Sequence, residues 1–135
     1  MTISVLLADD HEIVSQGIAS VLDGIPDITV VGSVCDGRSA LAEAHRLNPT
    51  VILMDIHMAG MNGIEATWRI VQELPDTKVI ALSMYADSCY VDRMMDAGAS
   101  GYLLKSCSMK ELVDAIRAVA GGETYVGRDL AQSSR

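Results

Sequence analysis

The stretch VILMDIHMAG, residues 51–60, runs four apolar residues straight into Asp55. A carboxylate that closes a buried-looking strand is costly unless it is paired or holds a cation. Other apolar runs end on groups that could meet it: ISVLLA is followed by Asp9-Asp10, KVIAL by Ser83 and GYLL by Lys105. If the first and third runs lie side by side, three carboxylates converge, and unpaired they would repel one another. A hard dication resolves the repulsion. Mg2+ takes oxygen ligands, keeps several waters and uses one or two carboxylates plus a phosphate. The Ser83 hydroxyl and the Lys105 ammonium then cradle phosphoryl oxygens and stabilise a phosphoryl group in transfer. A carboxylate in such a place can be the nucleophile, giving an aspartyl phosphate.

The elements that must position these groups are legible in the periodicity. Five short runs, at 3–8, 28–34, 51–54, 78–82 and 101–104, are nearly continuous in apolar residues, as strands buried on both faces are. Helical patterns lie between them. The first puts Val14, Ile18, Val21 and Leu22 on one face and stops at Gly24 and Pro26; the second starts at Asp36 as N-cap and ends before Pro49. The third aligns Ile64, Trp68, Val71 and Leu74 and stops at Pro75. The fourth groups Val91, Met94 and Met95 before Gly98, and the fifth opens with Ser108 and Glu111 in capping-box spacing. Strand alternating with helix five times predicts an α/β parallel sheet covered on both faces. Ligands of such sheets bind beyond the carboxyl ends of the strands.

Composition excludes some functions. With 135 residues and half of them hydrophobic, the chain can build one core, filled by aliphatic residues and Met because Phe is absent. A formal net charge of -8 argues against binding nucleic acid or an anionic membrane unaided and suits a cation-collecting site. No apolar run is long enough to span a bilayer. The three cysteines follow no metal or disulfide pattern and read as reduced cytosolic thiols.

LLADDHEIV, VILMDIHMAGMNG, VIALSMYAD and GYLLKS together resemble the signatures of response regulator receiver domains of two-component systems, over residues 3 to about 121. DDHEIVSQGI and GGETYV resemble the NarL/LuxR-type branch. The resemblance implies a flavodoxin-like (βα)5 fold with strand order 2-1-3-4-5. It implies Asp55 as phosphoacceptor, with Ser83 and Lys105 as its catalytic partners. Mg2+ (or Mn2+) would be held by Asp10, Asp55 and the backbone carbonyl of His57, with Asp9 acting indirectly. Ser83 would be the switch hydroxyl, and Tyr102 the aromatic that turns inward with it. The His57 side chain is expected to face solvent; a sharper reading has His57 and Tyr85 flanking the phosphoryl group and tuning its hydrolysis. Trp68 reads as core or helix-face packing, and His11 and His45 as helix-surface residues without a role.

Two positions depart from the family pattern. Ala59 stands where Pro is usual, which loosens the loop after Asp55. Ser106 follows Lys105 where Pro is common, and a trans bond is expected there.

The expected function is a cytoplasmic, phosphorylation-driven switch. A sensor histidine kinase donates a phosphoryl group to Asp55, and the domain catalyses the transfer and its own dephosphorylation without being a conventional enzyme. The face of helix 4, strand 5 and helix 5 changes shape, and the change is read out as homodimerisation. DNA is bound only by a C-terminal helix-turn-helix domain that these residues do not contain, and transcription is regulated. Residues 1–121 are the receiver, and 122–135 a linker or tail toward that domain. One rival is an atypical receiver that binds proteins without being phosphorylated; the complete set of site residues argues against it. A haloacid-dehalogenase-type phosphatase wants D-x-D after the first strand, where this chain has Asp9-Asp10-His11.

Overall fold

The computed structural model describes residues 2–58, 60–84 and 88–127. Strands and helices alternate from the start: β1 (Ile3–Ala8), α1 (Glu12–Asp23), β2 (Ile28–Val34), α2 (Gly37–Leu47), β3 (Val51–Asp55) and α3 (Gly63–Glu73). They continue with β4 (Lys78–Ser83), α4 (Ser88–Asp96), β5 (Gly101–Leu104), α5 (Met109–Ala120) and β6 (Tyr125–Val126). All strands pair in parallel in one sheet, in the order β2-β1-β3-β4-β5-β6. The flavodoxin-like doubly wound fold expected from the sequence is present, with one strand added at its edge.

The added strand comes from the segment read as a linker. Gly101 registers with Tyr125 and Tyr102 with Val126, and the Tyr125 hydroxyl donates to the Glu111 carboxylate of α5 at 3.0 Å. Residues up to Gly127 thus belong to the packed body.

Two apolar layers sandwich the sheet. One sets Leu6, Ile52, Met54, Ala81 and Tyr102 against Ala40 and Ala44 of α2, Ala66 and Ile70 of α3, and Met94 of α4. The other sets Val5, Leu53, Ile80 and Leu103 against Leu22 of α1 and Leu112, Ile116 and Val119 of α5. The β3 and β4 runs are buried almost throughout, whereas β2 is an edge strand and only partly covered.

The helix ends follow the sequence signals. Asp36 accepts from the Ser39 N–H, and Ser108 from the Glu111 N–H. Gly98 adopts φ +107° just after α4. Two predicted faces are displaced. The buried stripe of α3 is Gly63, Ala66, Thr67 and Ile70, while Trp68 is 54% exposed. Val21 of α1 is exposed, and Ser15 joins Leu22 against the sheet. Large side chains dominate a periodicity reading, but small ones let a helix approach a sheet closely. No cis peptide bond occurs among the described residues, so Ser106 follows a trans bond as expected. Ala59 and Tyr85, and the tail beyond Gly127, lie outside the described residues.

Candidate functional site

The parallel sheet carries every strand end named above to one edge. Asp55 closes β3 and registers with Leu82, one residue before Ser83. Lys105 follows β5, and its backbone N–H donates to the Ser83 carbonyl at 2.8 Å, tying the ends of β4 and β5 together. The Asp9 N–H donates to the Val34 carbonyl at 3.0 Å, which holds the end of β1 against β2.

The loop after Asp55 is shaped by two glycines for different reasons. Gly60 takes φ +73°, a conformation that L side chains rarely adopt. Gly63 starts α3 hard against the strand: a Cβ there would lie 2.1 Å from the Asp55 carbonyl oxygen. Its N–H donates to the Ile56 carbonyl at 2.9 Å. Asn62 caps the helix by accepting from the Glu65 N–H.

The side chains converge on one small volume. Lys105 Nζ, on a side chain only 7% exposed, lies 2.9 Å from Asp9 Oδ2 and 3.4 Å from Asp55 Oδ2. It also donates to Asp9 Oδ1 at 3.1 Å. The His57 N–H reaches Asp55 Oδ1 at 3.3 Å. Asp9 and Asp55 are buried, while Asp10 stands more open at the rim. Burial pushes the Asp55 carboxyl up to about 6, and the neighbouring charge of Asp9 adds to this; Lys105 opposes it. One cation therefore faces two buried carboxylates and cannot neutralise both. Asp9 Oδ2 and Asp55 Oδ2 are buried without an aligned hydrogen bond. Such oxygens suit a hard dication, so the donor set of Asp9, Asp10 and Asp55 fits Mg2+.

Ser83 is fully buried at the end of β4. Tyr102, registered with Ala81, is fully buried as well, in the layer beneath α4. The His57 side chain is exposed, as expected, but its ring also meets Tyr90 of α4 edge-on at 5.0 Å between centroids. The sequence reading missed His11. It is the N-cap residue of α1, and its Nδ1 lies 2.9 Å from Lys105 Nζ, 3.1 Å from Asp9 Oδ1, 3.3 Å from Asp10 Oδ1 and 3.8 Å from Asp55 Oδ2. The available signal was its place: a helix N-cap directly after two strand-end carboxylates stands at the ligand-binding edge, not on an outer helix face.

The response regulator receiver domain family matches residues 5–117. The chain belongs to this family. The response regulator protein VraR of Staphylococcus aureus is 46% identical over 124 residues, which are 92% of this chain and 59% of VraR. The chain thus spans somewhat more than half the length of this curated relative. The structure of a LuxR-family two-component response regulator from Aurantimonas sp. SI85-9A1 superposes with a TM-score of 0.94 at 33% identity, covering 99% of this chain and 96% of that one. The isolated receiver domain of RcsB from Salmonella enterica serovar Typhimurium, solved in the presence of the phosphomimetic BeF3-, gives 0.89 at 26% identity and covers 98% of each chain. This receiver domain is therefore similar to members of the LuxR/NarL-type branch. No helix among its described residues is long and apolar enough to cross a membrane.

Proposed function

We propose that this receiver domain accepts a phosphoryl group on Asp55 from the phosphohistidine of a sensor kinase. The observation that carries the reading is the buried Asp55 carboxylate at the end of β3, with its Oδ2 3.4 Å from Lys105 Nζ and Asp9 alongside. An Asp55 oxygen attacks phosphorus, the P–N bond breaks, and the imidazole leaves with the bonding pair and takes a proton. The product is an acyl phosphate. Asp10, Asp55 and the His57 carbonyl would hold Mg2+ (or Mn2+), with Asp9 acting through position and charge. When bound, the cation neutralises the carboxylates and the charge spreading over the phosphoryl oxygens. Lys105 is held over the site by Asp9, so it can pass from carboxylate to phosphoryl oxygen without a large movement. Water returns the acyl phosphate to the free carboxylate.

The Ser83 hydroxyl would follow the new phosphoryl oxygen, and its backbone carbonyl accepts from the N–H of Lys105, the residue after β5. A shift at Ser83 is felt by Tyr102, which packs in the same layer as Val91 and Met94 of α4. Phosphorylation would in this way bias the face formed by α4, β5 and α5 and promote homodimerisation. In the full-length cytoplasmic regulator, residues beyond the packed body would lead to a C-terminal helix-turn-helix domain that binds DNA and controls transcription. The acidic receiver itself would touch no DNA.

The test is intact-protein mass after incubation with acetyl phosphate, with and without Mg2+, for wild type and Asp55→Asn. A Mg2+-dependent gain of one phosphoryl group by wild type alone is expected. No gain, together with no binding of beryllofluoride, would overturn the reading and leave a protein-binding receiver that is never phosphorylated.

A further inference from the structure

The residue two positions after Asp55 is in contact with α4. The rings of His57 and Tyr90 meet with centroids 5.0 Å apart and planes at 89°, the edge-to-face arrangement in which the positive rim of one ring faces the negative π-cloud of the other. Tyr90 lies in the first turn of α4. It is half-buried and packs against the apolar layer that holds Val91, Met94 and Tyr102. Tyr90 thus joins the core beneath α4 to the loop that follows β3.

The backbone of His57 is tied in turn to the Asp55 carboxyl. Its N–H reaches Asp55 Oδ1 at 3.3 Å, and a hydrogen bond to an ionised carboxylate is strengthened by the charge. Converting Asp55 to an acyl phosphate takes that charge off the carboxyl group. With phosphorus on Oδ2, Oδ1 is left as a neutral acyl oxygen. With phosphorus on Oδ1, the acceptor itself is used up. In either case the His57 N–H loses a charged partner, and the peptide that carries the ring is held less firmly in its present place.

We propose that the Tyr90–His57 contact couples Asp55 to α4 by a path separate from Ser83 and Tyr102, with Tyr90 as a positioning residue that holds the unphosphorylated arrangement. This rests on Asp55 as the phosphoacceptor and goes beyond that reading by naming what restrains the site from the α4 side. The contact is firm while Asp55 is a free carboxylate and loosens when Asp55 is modified, so it opposes modification. Coupling of this kind is reciprocal. A second copy of this chain that seats on α4 and draws its first turn away from His57 favours the modified form, by no more than the strength of one aromatic pair.

The deciding measurement is the affinity of the whole chain for beryllofluoride with Mg2+ present, by isothermal titration calorimetry, in a double-mutant cycle of Tyr90→Leu and His57→Ala. Each single variant is expected to bind about fivefold more tightly than wild type, and the double variant no more tightly than either single one. Tyr90→Phe keeps the ring and should bind as wild type does. A tyrosine that merely fills space beneath α4 would give an effect that adds to that of His57→Ala. Effects that add, unchanged or weaker binding by Tyr90→Leu, or a Tyr90→Phe that behaves like Tyr90→Leu would each overturn the proposal while leaving Asp55 as the phosphoacceptor. The His57 side chain is exposed, so His57→Ala keeps the fold. Unchanged or weaker binding by that variant overturns the proposal even if Tyr90→Leu does not fold. Wild type that binds no beryllofluoride also overturns it, and if wild type gains no phosphoryl group from acetyl phosphate either, the proposed function falls with it.

Discussion

The two ends of the sheet are built on opposite terms. At the amino end, between the starts of β1 and β3, Ser4 and Thr50 satisfy one another. Thr50 Oγ1 accepts from the Ser4 N–H, Ser4 Oγ accepts from the Thr50 N–H, and the hydroxyls lie 3.2 Å apart. Close by, the Thr77 hydroxyl donates to the Pro49 carbonyl at 3.0 Å. Every group named is neutral and paired. At the carboxyl end of the same strands, the two buried carboxylates of Asp9 and Asp55 share the Lys105 ammonium, and His11 Nδ1 stands within 4 Å of both. The amino end is assembled for stability. The carboxyl end holds charge in reserve for a ligand, and stability is given up to keep it.

The largest effect expected of a single substitution falls where the two terms meet, at the backbone that carries Asp55. Gly63→Ala places a methyl group 2.1 Å from the Asp55 carbonyl oxygen, so strand and helix must part. A loss of about 3 kcal/mol is expected in urea denaturation, with phosphoryl uptake impaired along with it. A loss below about 1 kcal/mol would show that the end of β3 yields more easily than its packing implies.

Asp55→Asn should work in the other direction. The folded carboxyl titrates at about 6 against 3.8 for a free one, so the folded state binds this proton more tightly than the unfolded chain does. The ionised form therefore costs stability. That penalty is complete above about pH 6, shrinks as the pH falls toward 3.8 and is absent below it. With chelator present at pH 7.5, the variant should be more stable than wild type by roughly 2 kcal/mol, allowing for screening at the open rim. The gap should close by about pH 4 and narrow at pH 7.5 when Mg2+ is added. The same variant takes up no phosphoryl group. A variant less stable than wild type at pH 7.5 would break the contrast between the two ends.

How much of this could be read from the chain follows from what each feature depends on. The alternation of elements, the helix caps at Asp36 and Ser108 and the gathering of Asp9, Asp10, Asp55, Ser83 and Lys105 rest on local pattern and parallel topology, and both leave marks in sequence. The buried face of α3 was misread because Ala66 and Thr67 carry the contact while Trp68 draws the eye. Strand β6 was missed because two residues have no period, and their pairing depends on a β5 edge that exists only after folding. His11 was passed over because a lone histidine at a helix start says nothing until the strand beside it is placed.

The smallest effect concerns the amino end. Thr50→Val leaves the Ser4 N–H without its acceptor in a half-buried place, and Ser4→Ala does the same to the Thr50 N–H. Each should cost about 1 kcal/mol. The backbone groups and the hydroxyls share one small network, so the losses should not add. The double variant is expected to cost less than the sum, because removing both hydroxyls together strands no hydroxyl beside an apolar neighbour. Neither variant should change the rate of phosphoryl uptake from acetyl phosphate or alter the pH dependence of stability, since no titrating group lies among these partners. A change in uptake would mean that the amino end communicates with Asp55 along β3. The two ends would then be one mechanical unit and not two regions built on separate terms.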